Sequence, residues 1–197
     1  MTDEGIHQEL ESEPQDLPEA QQQSPRRRWG FALVWLFVIA LLVVVGVSLI
    51  RTQEGHIQVG EPVPDLSLQT FEGETIRFSD LRGEVVVVNF WASWCRPCEQ
   101  EAAELQQAYE LYRDDGVWFL GVDYVDTETE AKTYLQRFGI TYPNGPDLGT
   151  RISQAFRIRG VPETYIIGPD GRLAAFKIGP YQSLDEIIQQ IESVRAQ

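Results

Sequence analysis

An α/β fold, with a mixed β-sheet flanked by helices, is what this sequence predicts, and three observations carry it. From residue 61 onward, short β-branched apolar runs alternate with stretches of helix formers. Gly and Pro clusters punctuate the alternation. The final third reads as strand, turn, strand and helix, the ending that makes an alternating strand–helix chain into a mixed sheet.

The elements follow in order. Residues 1–25 of the 197 hold seven acids and no Lys or Arg, together with Pro14, Pro18, Pro25 and a Gln run. With the basic flank Arg26-Arg27-Arg28 they form a predicted acidic, disordered tail over 1–28. Trp29 to Ile50 is then 22 residues without a charge. That length spans a bilayer, and the run has no polar face. Trp29 and Trp35 suit the interfacial end of such a span. The three arginines before it, against Arg51 alone just after, predict a cytoplasmic N-terminus and a single-pass protein whose remaining chain lies outside the cytoplasm. A cleaved signal peptide is the competitor. The run is longer than the usual signal core and no A-x-A site follows, so an uncleaved signal-anchor over 29–50 is expected. Residues 51–60 read as a tether and 61–197 as one folded domain.

In that domain Leu66–Gln69 and Thr75–Phe78 alternate as strands around Gly73, predicting an N-terminal hairpin. Glu84–Trp91 is a buried strand, and Glu99–Arg113 a helix with Gly116 as its C-terminal stop. Val117–Tyr124 is the next strand. Thr127-x-x-Glu130 caps a helix running to Phe138 and closed by Gly139. Tyr142–Asp147 is broken by Pro and Gly, and a short helix covers about 150–156. Glu163–Ile167 and Leu173–Ile178 are strands joined at Pro169-Asp170-Gly171. Ser183-x-x-Glu186 caps a last helix with the apolar stripe Leu184, Ile187, Ile188, Ile191, Val194.

The chain's only two cysteines stand in Trp94-Cys95-Arg96-Pro97-Cys98, where the buried strand hands over to the helix. Cys95 is thus expected near a helix N-terminus, where the dipole and free N–H groups favour a thiolate. Cys98, one turn on, can resolve a mixed disulfide. A zinc half-site would need further Cys or His, and the only histidines, His7 and His56, read as lying outside the folded domain. A purely structural disulfide would close too short a loop to stabilise much. Outside the cytoplasm, a lone C-x-x-C reads as redox chemistry on other proteins. Net charge −14 argues against nucleic acid. No cofactor or metal is expected.

Asn89-Phe90-Trp91-Ala92-Ser93-Trp94-Cys95-x-x-Cys98, the distant Val161-Pro162 and the Pro-Asp-Gly hairpin together resemble the thioredoxin fold. The hairpin before the active strand, and the extra strand–helix unit after the active helix, resemble the TlpA/ResA/DsbE branch of membrane-anchored thiol–disulfide oxidoreductases. Gly160-Val161-Pro162-Glu163-Thr164-Tyr165 and Gly121-Val122-Asp123-Tyr124-x-Asp126 look most like its DsbE (CcmG) group, which serves cytochrome c maturation. The resemblance implies that Cys95 attacks and Cys98 resolves. It implies that Pro162 follows a cis peptide bond facing the disulfide and leaves the Val161 backbone free to pair with a client. Glu101 and Glu163 match the two acids of this branch that tune the cysteines and exchange the resolving thiol's proton. Each is equally readable as an ordinary structural charge. Ordinary thioredoxins carry a buried Asp where this chain has Asn89, so Glu101 must stand in. Arg96 places a cation near the thiolate or is merely exposed beside Pro97; Trp91 and Trp94 shape the site's surround, or Trp91 is plain core.

The implied clients are proteins with disulfides, an apocytochrome c or a haem-assembly factor among them. With two cysteines and no second internal pair, a membrane electron donor must re-reduce Cys95/Cys98. A general extracytoplasmic reductase or isomerase and a tethered scaffold remain alternatives. A peroxiredoxin-like peroxidase fails on its P-x-x-x-[ST]-x-x-C pattern, because positions 88 and 92 are Val and Ala.

Overall fold

The computed structural model describes residues 25–52 and 56–196, with side chains from 33–48 and 56–196. The chain divides into two units, Met1–Gln53 and Glu54–Gln197. The first contains helix α1, Pro25–Thr52. Its described side chains are apolar except Ser48, and nearly all are exposed around the helix. Among the described residues no helix is long and apolar enough to cross a membrane; the span expected over 29–50 extends at both ends beyond 33–48, the part of α1 whose side chains are described. The expected acidic tail lies outside the described residues through residue 24.

The second unit carries β1 (Ser67–Gln69), β2 (Thr75–Arg77), β3 (Val85–Trp91), α2 (Arg96–Tyr112), β4 (Val117–Asp123), α3 (Glu128–Phe138), β5 (Asn144–Pro146), α4 (Arg151–Phe156), β6 (Glu163–Ile167), β7 (Leu173–Ile178) and α5 (Leu184–Arg195). The sheet order is β5-β4-β3-β6-β7, with β5, β4 and β3 parallel and β6 and β7 antiparallel additions. This is the thioredoxin-like mixed sheet. The β1–β2 hairpin forms a separate two-stranded sheet.

Both faces of the sheet are covered, which is why β3 is a continuous apolar run rather than an alternating one. Val86, Val88 and Phe90 face a core with Tyr165, Ile167 and α4's Phe156. Val85 and Val87 face Leu105 and Ala108 of α2 and Ile187 and Ile191 of α5. The caps read from sequence form: Thr127 accepts from Glu130 N–H, Ser183 from Glu186 N–H, and left-handed Gly139 (φ 64°) closes α3.

Three expectations change. Gly116 does not stop α2, which ends at Tyr112; it lies beyond, in an Asp114-Asp115-Gly116 turn with φ 73°. The stretch 142–147 contains a strand, β5, paired with Gly121–Asp123. The tether does not reach residue 60. Ile57 is buried in the core, its N–H meets Phe156 C=O, and Gly60 N–H meets Leu173 C=O, so the domain is packed from His56. His56 therefore belongs inside the folded domain.

Candidate active site

Parallel pairing sets the C-terminal ends of β3 and β4, Trp91 and Asp123, side by side. Chain leaving a parallel strand's carboxyl end is where α/β folds build sites. The β3 exit, Ala92-Ser93-Trp94-Cys95, turns directly into α2. Cys95 is the N-cap of α2, with extended backbone, and its Sγ accepts the Cys98 N–H at 3.1 Å. Sulfur thus occupies the position where a capping oxygen would satisfy a free N–H, so negative charge on Cys95 is stabilised by the helix start. Cys95 and Cys98 are joined by a disulfide and are 3% and 1% exposed. Trp94, Arg96 and Pro97 stand exposed around them.

The β4 exit holds the β3 exit. Asp126 Oδ2 accepts Ser93 N–H at 2.6 Å, and Val125 C=O accepts the Trp94 indole N–H at 3.1 Å. Val125 makes that contact from left-handed backbone, φ 48°, an unfavourable conformation for a β-branched residue. Trp91 is buried, stacks on Tyr134 at 4.6 Å, and donates its indole N–H to Asn144 Oδ1 at 2.8 Å. It packs in one cluster with both cysteines, Ala102, Ala131 and Tyr134, so it is both core and a wall of the site.

Beneath α2 lies a polar network inside apolar surroundings. Glu101, three residues after Cys98 and 1% exposed, accepts the Asn89 side-chain amide (2.8 Å) on Oε1 and the Tyr181 N–H (2.8 Å) on Oε2. Asn89 also donates to Thr164 Oγ1 at 2.9 Å, its antiparallel register partner. Burial pushes the Glu101 carboxyl up to about 7, against the opposing pull of the Tyr181 and Asn89 hydrogen bonds. Glu101 is therefore poised to gain or lose a proton near neutrality. Asn89 is not an acid; its amide orients the buried Glu101 carboxyl.

The Val161–Pro162 peptide bond is cis, and Val161 packs against the cysteine cluster. Glu163 is placed differently from Glu101. Alternation along β6 turns Glu163 to the Tyr165 side of the sheet and Thr164 to the Asn89 side. Buried at 2% exposure, Glu163 accepts from Arg159 N–H (2.9 Å), Gly160 N–H (3.2 Å) and Tyr165 O–H (2.6 Å), and its Oε1 is hydrogen-bonded with His56 Nε2 at 3.3 Å. It braces the loop before the cis bond and is not brought to Glu101.

Sequence reasoning missed Thr164, the Tyr181 N–H, the Asn144–Tyr134 clamp on Trp91, and His56. It also passed over the chemistry of Asp123. This carboxyl is buried, and its Oδ1 is the one buried side-chain oxygen or nitrogen without a partner among the described residues. Burial, and then the neighbouring Asp126 carboxylate, push it up to about 8, so it carries its proton at neutral pH. The Gly121-x-Asp123-x-x-Asp126 spacing at a strand end was the available signal. Among the described residues no group of three or more His, Cys, Asp or Glu could hold a metal ion.

Comparison with known proteins places this arrangement. Residues 59–176 match the AhpC/TSA family. The thiol-disulfide oxidoreductase ResA of Oceanobacillus iheyensis is 31% identical over 157 residues, covering 77% of this chain and 82% of that protein. ResA of Geobacillus thermodenitrificans is 29% identical over 163 residues, covering 81% and 93%. A thiol:disulfide interchange protein of the thioredoxin family from Chlorobium tepidum superposes with a TM-score of 0.64 at 25% identity, covering 71% of this chain and 99% of that one.

Proposed function

The chain belongs to the AhpC/TSA family of thioredoxin-like proteins and, with its ResA/DsbE-type relatives, is a thiol–disulfide oxidoreductase; on that premise we propose that it is a membrane-anchored reductase of client disulfides outside the cytoplasm, acting in cytochrome c maturation. The observation that carries the reductase reading is the Cys95–Cys98 pair at the start of α2 with the buried, near-neutral Glu101 one turn below.

Cys95 attacks as the thiolate that the α2 start stabilises. Its sulfur bonds one client sulfur, and the other client sulfur leaves as a thiolate. Cys98 then gives its proton to Glu101 and attacks Cys95 Sγ. The mixed disulfide breaks, the client departs with both sulfurs reduced, and the Cys95–Cys98 disulfide remains. Val161 and the cis-Pro162 loop form the surface on which the client chain lies. Trp94, Arg96 and Pro97 border it. The exposed apolar circumference of α1 and the Arg26–Arg28 flank support a signal-anchor with a cytoplasmic N-terminus. A membrane electron donor then re-reduces the pair. Haem-binding C-x-x-C-H segments of apocytochrome c, or a haem-assembly factor, are the clients proposed. A peroxidase finds no footing in the site: Val88 and Ala92, where that chemistry needs Pro and Ser or Thr, are fully buried core.

The test is Cys98→Ser in the native host, which keeps the attacking thiol and strands mixed disulfides on Cys95. Apocytochromes c or haem-assembly factors among the adducts support the reading. A broad set of exported proteins means a general reductase or isomerase, and no adduct at all favours a scaffold. A purified pair more oxidising than about −180 mV would contradict the reducing direction.

A further inference from the structure

His56 is the first described residue of the redox domain, and its side chain is 17% exposed. Its ring stacks on Phe176 at 6.1 Å and 15°, and Nε2 lies 3.3 Å from Glu163 Oε1, a partner 107 residues away. The same Oε1 accepts the Arg159 and Gly160 N–H groups. Tyr165 O–H holds the other oxygen. Of the four hydrogen-bond partners of this buried carboxyl, three come from β6 and the loop before it. His56 alone arrives from elsewhere in the chain, and Ile57 behind it is locked into the core.

We propose that His56 is a positioning residue for the exchange reaction: through Glu163 it fixes the Arg159–Gly160 turn that presents Val161 and Pro162 to the client, so the segment joining the domain to α1 sets client affinity. This rests on the reading that the loop at Val161–Pro162 docks the client. A buried carboxylate that loses a donor must re-aim at those remaining, and here those are the loop's own N–H groups. His56 touches no sulfur, so its effect falls on binding and not on the chemistry of the pair.

The test uses the full chain in detergent with insulin as the disulfide probe. His56→Phe keeps a ring against Phe176 and removes the donor; His56→Gln returns an N–H. The expected result for His56→Phe is a KM raised roughly tenfold, from the loss of a hydrogen bond to a buried group. Its kcat and Cys95/Cys98 reduction potential should match wild type, and its Arg159 and Gly160 amides should exchange faster with solvent. His56→Gln should restore both KM and amide protection. Unchanged KM with unchanged exchange would overturn the link from His56 to the loop. Faster exchange with unchanged KM would overturn the docking role of the loop itself. A shifted reduction potential, or kcat falling with KM unmoved, would show that His56 acts on general structure and overturn the proposal.

Discussion

Asn89 on β3 donates its side-chain amide to Glu101 on α2 across 2.8 Å, inside the layer between sheet and helix. The strand thereby aims an acid that the helix delivers one turn after Cys98. Asn89→Asp tests what the amide contributes. A second carboxyl at that distance repels the first, so one proton is shared and the pair holds it to higher pH. The inflection near pH 7 in the exchange rate should rise by about one unit or more. An unmoved inflection would show that Asn89 and Glu101 are not electrostatically coupled.

Gly121 is set by a close approach. A Cβ there would lie 1.6 Å from Asn144 Oδ1 and 2.9 Å from Trp91 Nε1, the two atoms of the hydrogen bond that holds the Trp91 wall. Gly121→Ala must push Asn144 away. Destabilisation of about 1–3 kcal/mol is expected from overpacking, with a changed Trp fluorescence maximum. Wild-type stability in urea titration would refute the clamp.

Asp123 governs a pH dependence of stability. Its pKa is 3.8 ordinarily and about 8 in the fold. Between those values the folded protein holds a proton that the unfolded chain has released, so this group lowers stability as pH rises through the interval. Glu101, raised from 4.5 to about 7, acts with the same sign over its own window. Asp123→Asn keeps a donor toward Asp126 at every pH. The Tm of the variant relative to wild type should therefore climb between pH 5 and about pH 8 and then level off. A constant difference would mean that Asp123 is ionised throughout.

These residues also show what the sequence made legible. The β3–α2 handover was readable because an apolar β-branched run meets helix formers at the cysteines, and the Thr127 and Ser183 caps because their spacing is local chemistry. β5 was not, since Asn144-Gly145-Pro146 has no strand pattern. It exists through its pairing with β4, and a Cβ on Gly145 would sit 2.1 Å from Gln69 C=O. His56 carried no periodic signal, because its partners Glu163 and Phe176 lie more than a hundred residues on. The side taken by Glu163 was readable from alternation along β6, yet family resemblance alone grouped it with Glu101. The Glu101–Tyr181 contact spans 80 residues and only folding brings it together.

The most direct test of the account is single-turnover reduction of a disulfide peptide from pH 5 to pH 9, comparing wild type with Glu101→Gln. The amide keeps the cavity filled and cannot take the Cys98 proton. Wild type should show the resolving step turning near pH 7. In the variant that step should slow by about a hundredfold and lose the inflection, while attack by Cys95 proceeds as before. Identical profiles in the two proteins would contradict the role assigned to Glu101 and, with it, the proton route on which the mechanism rests.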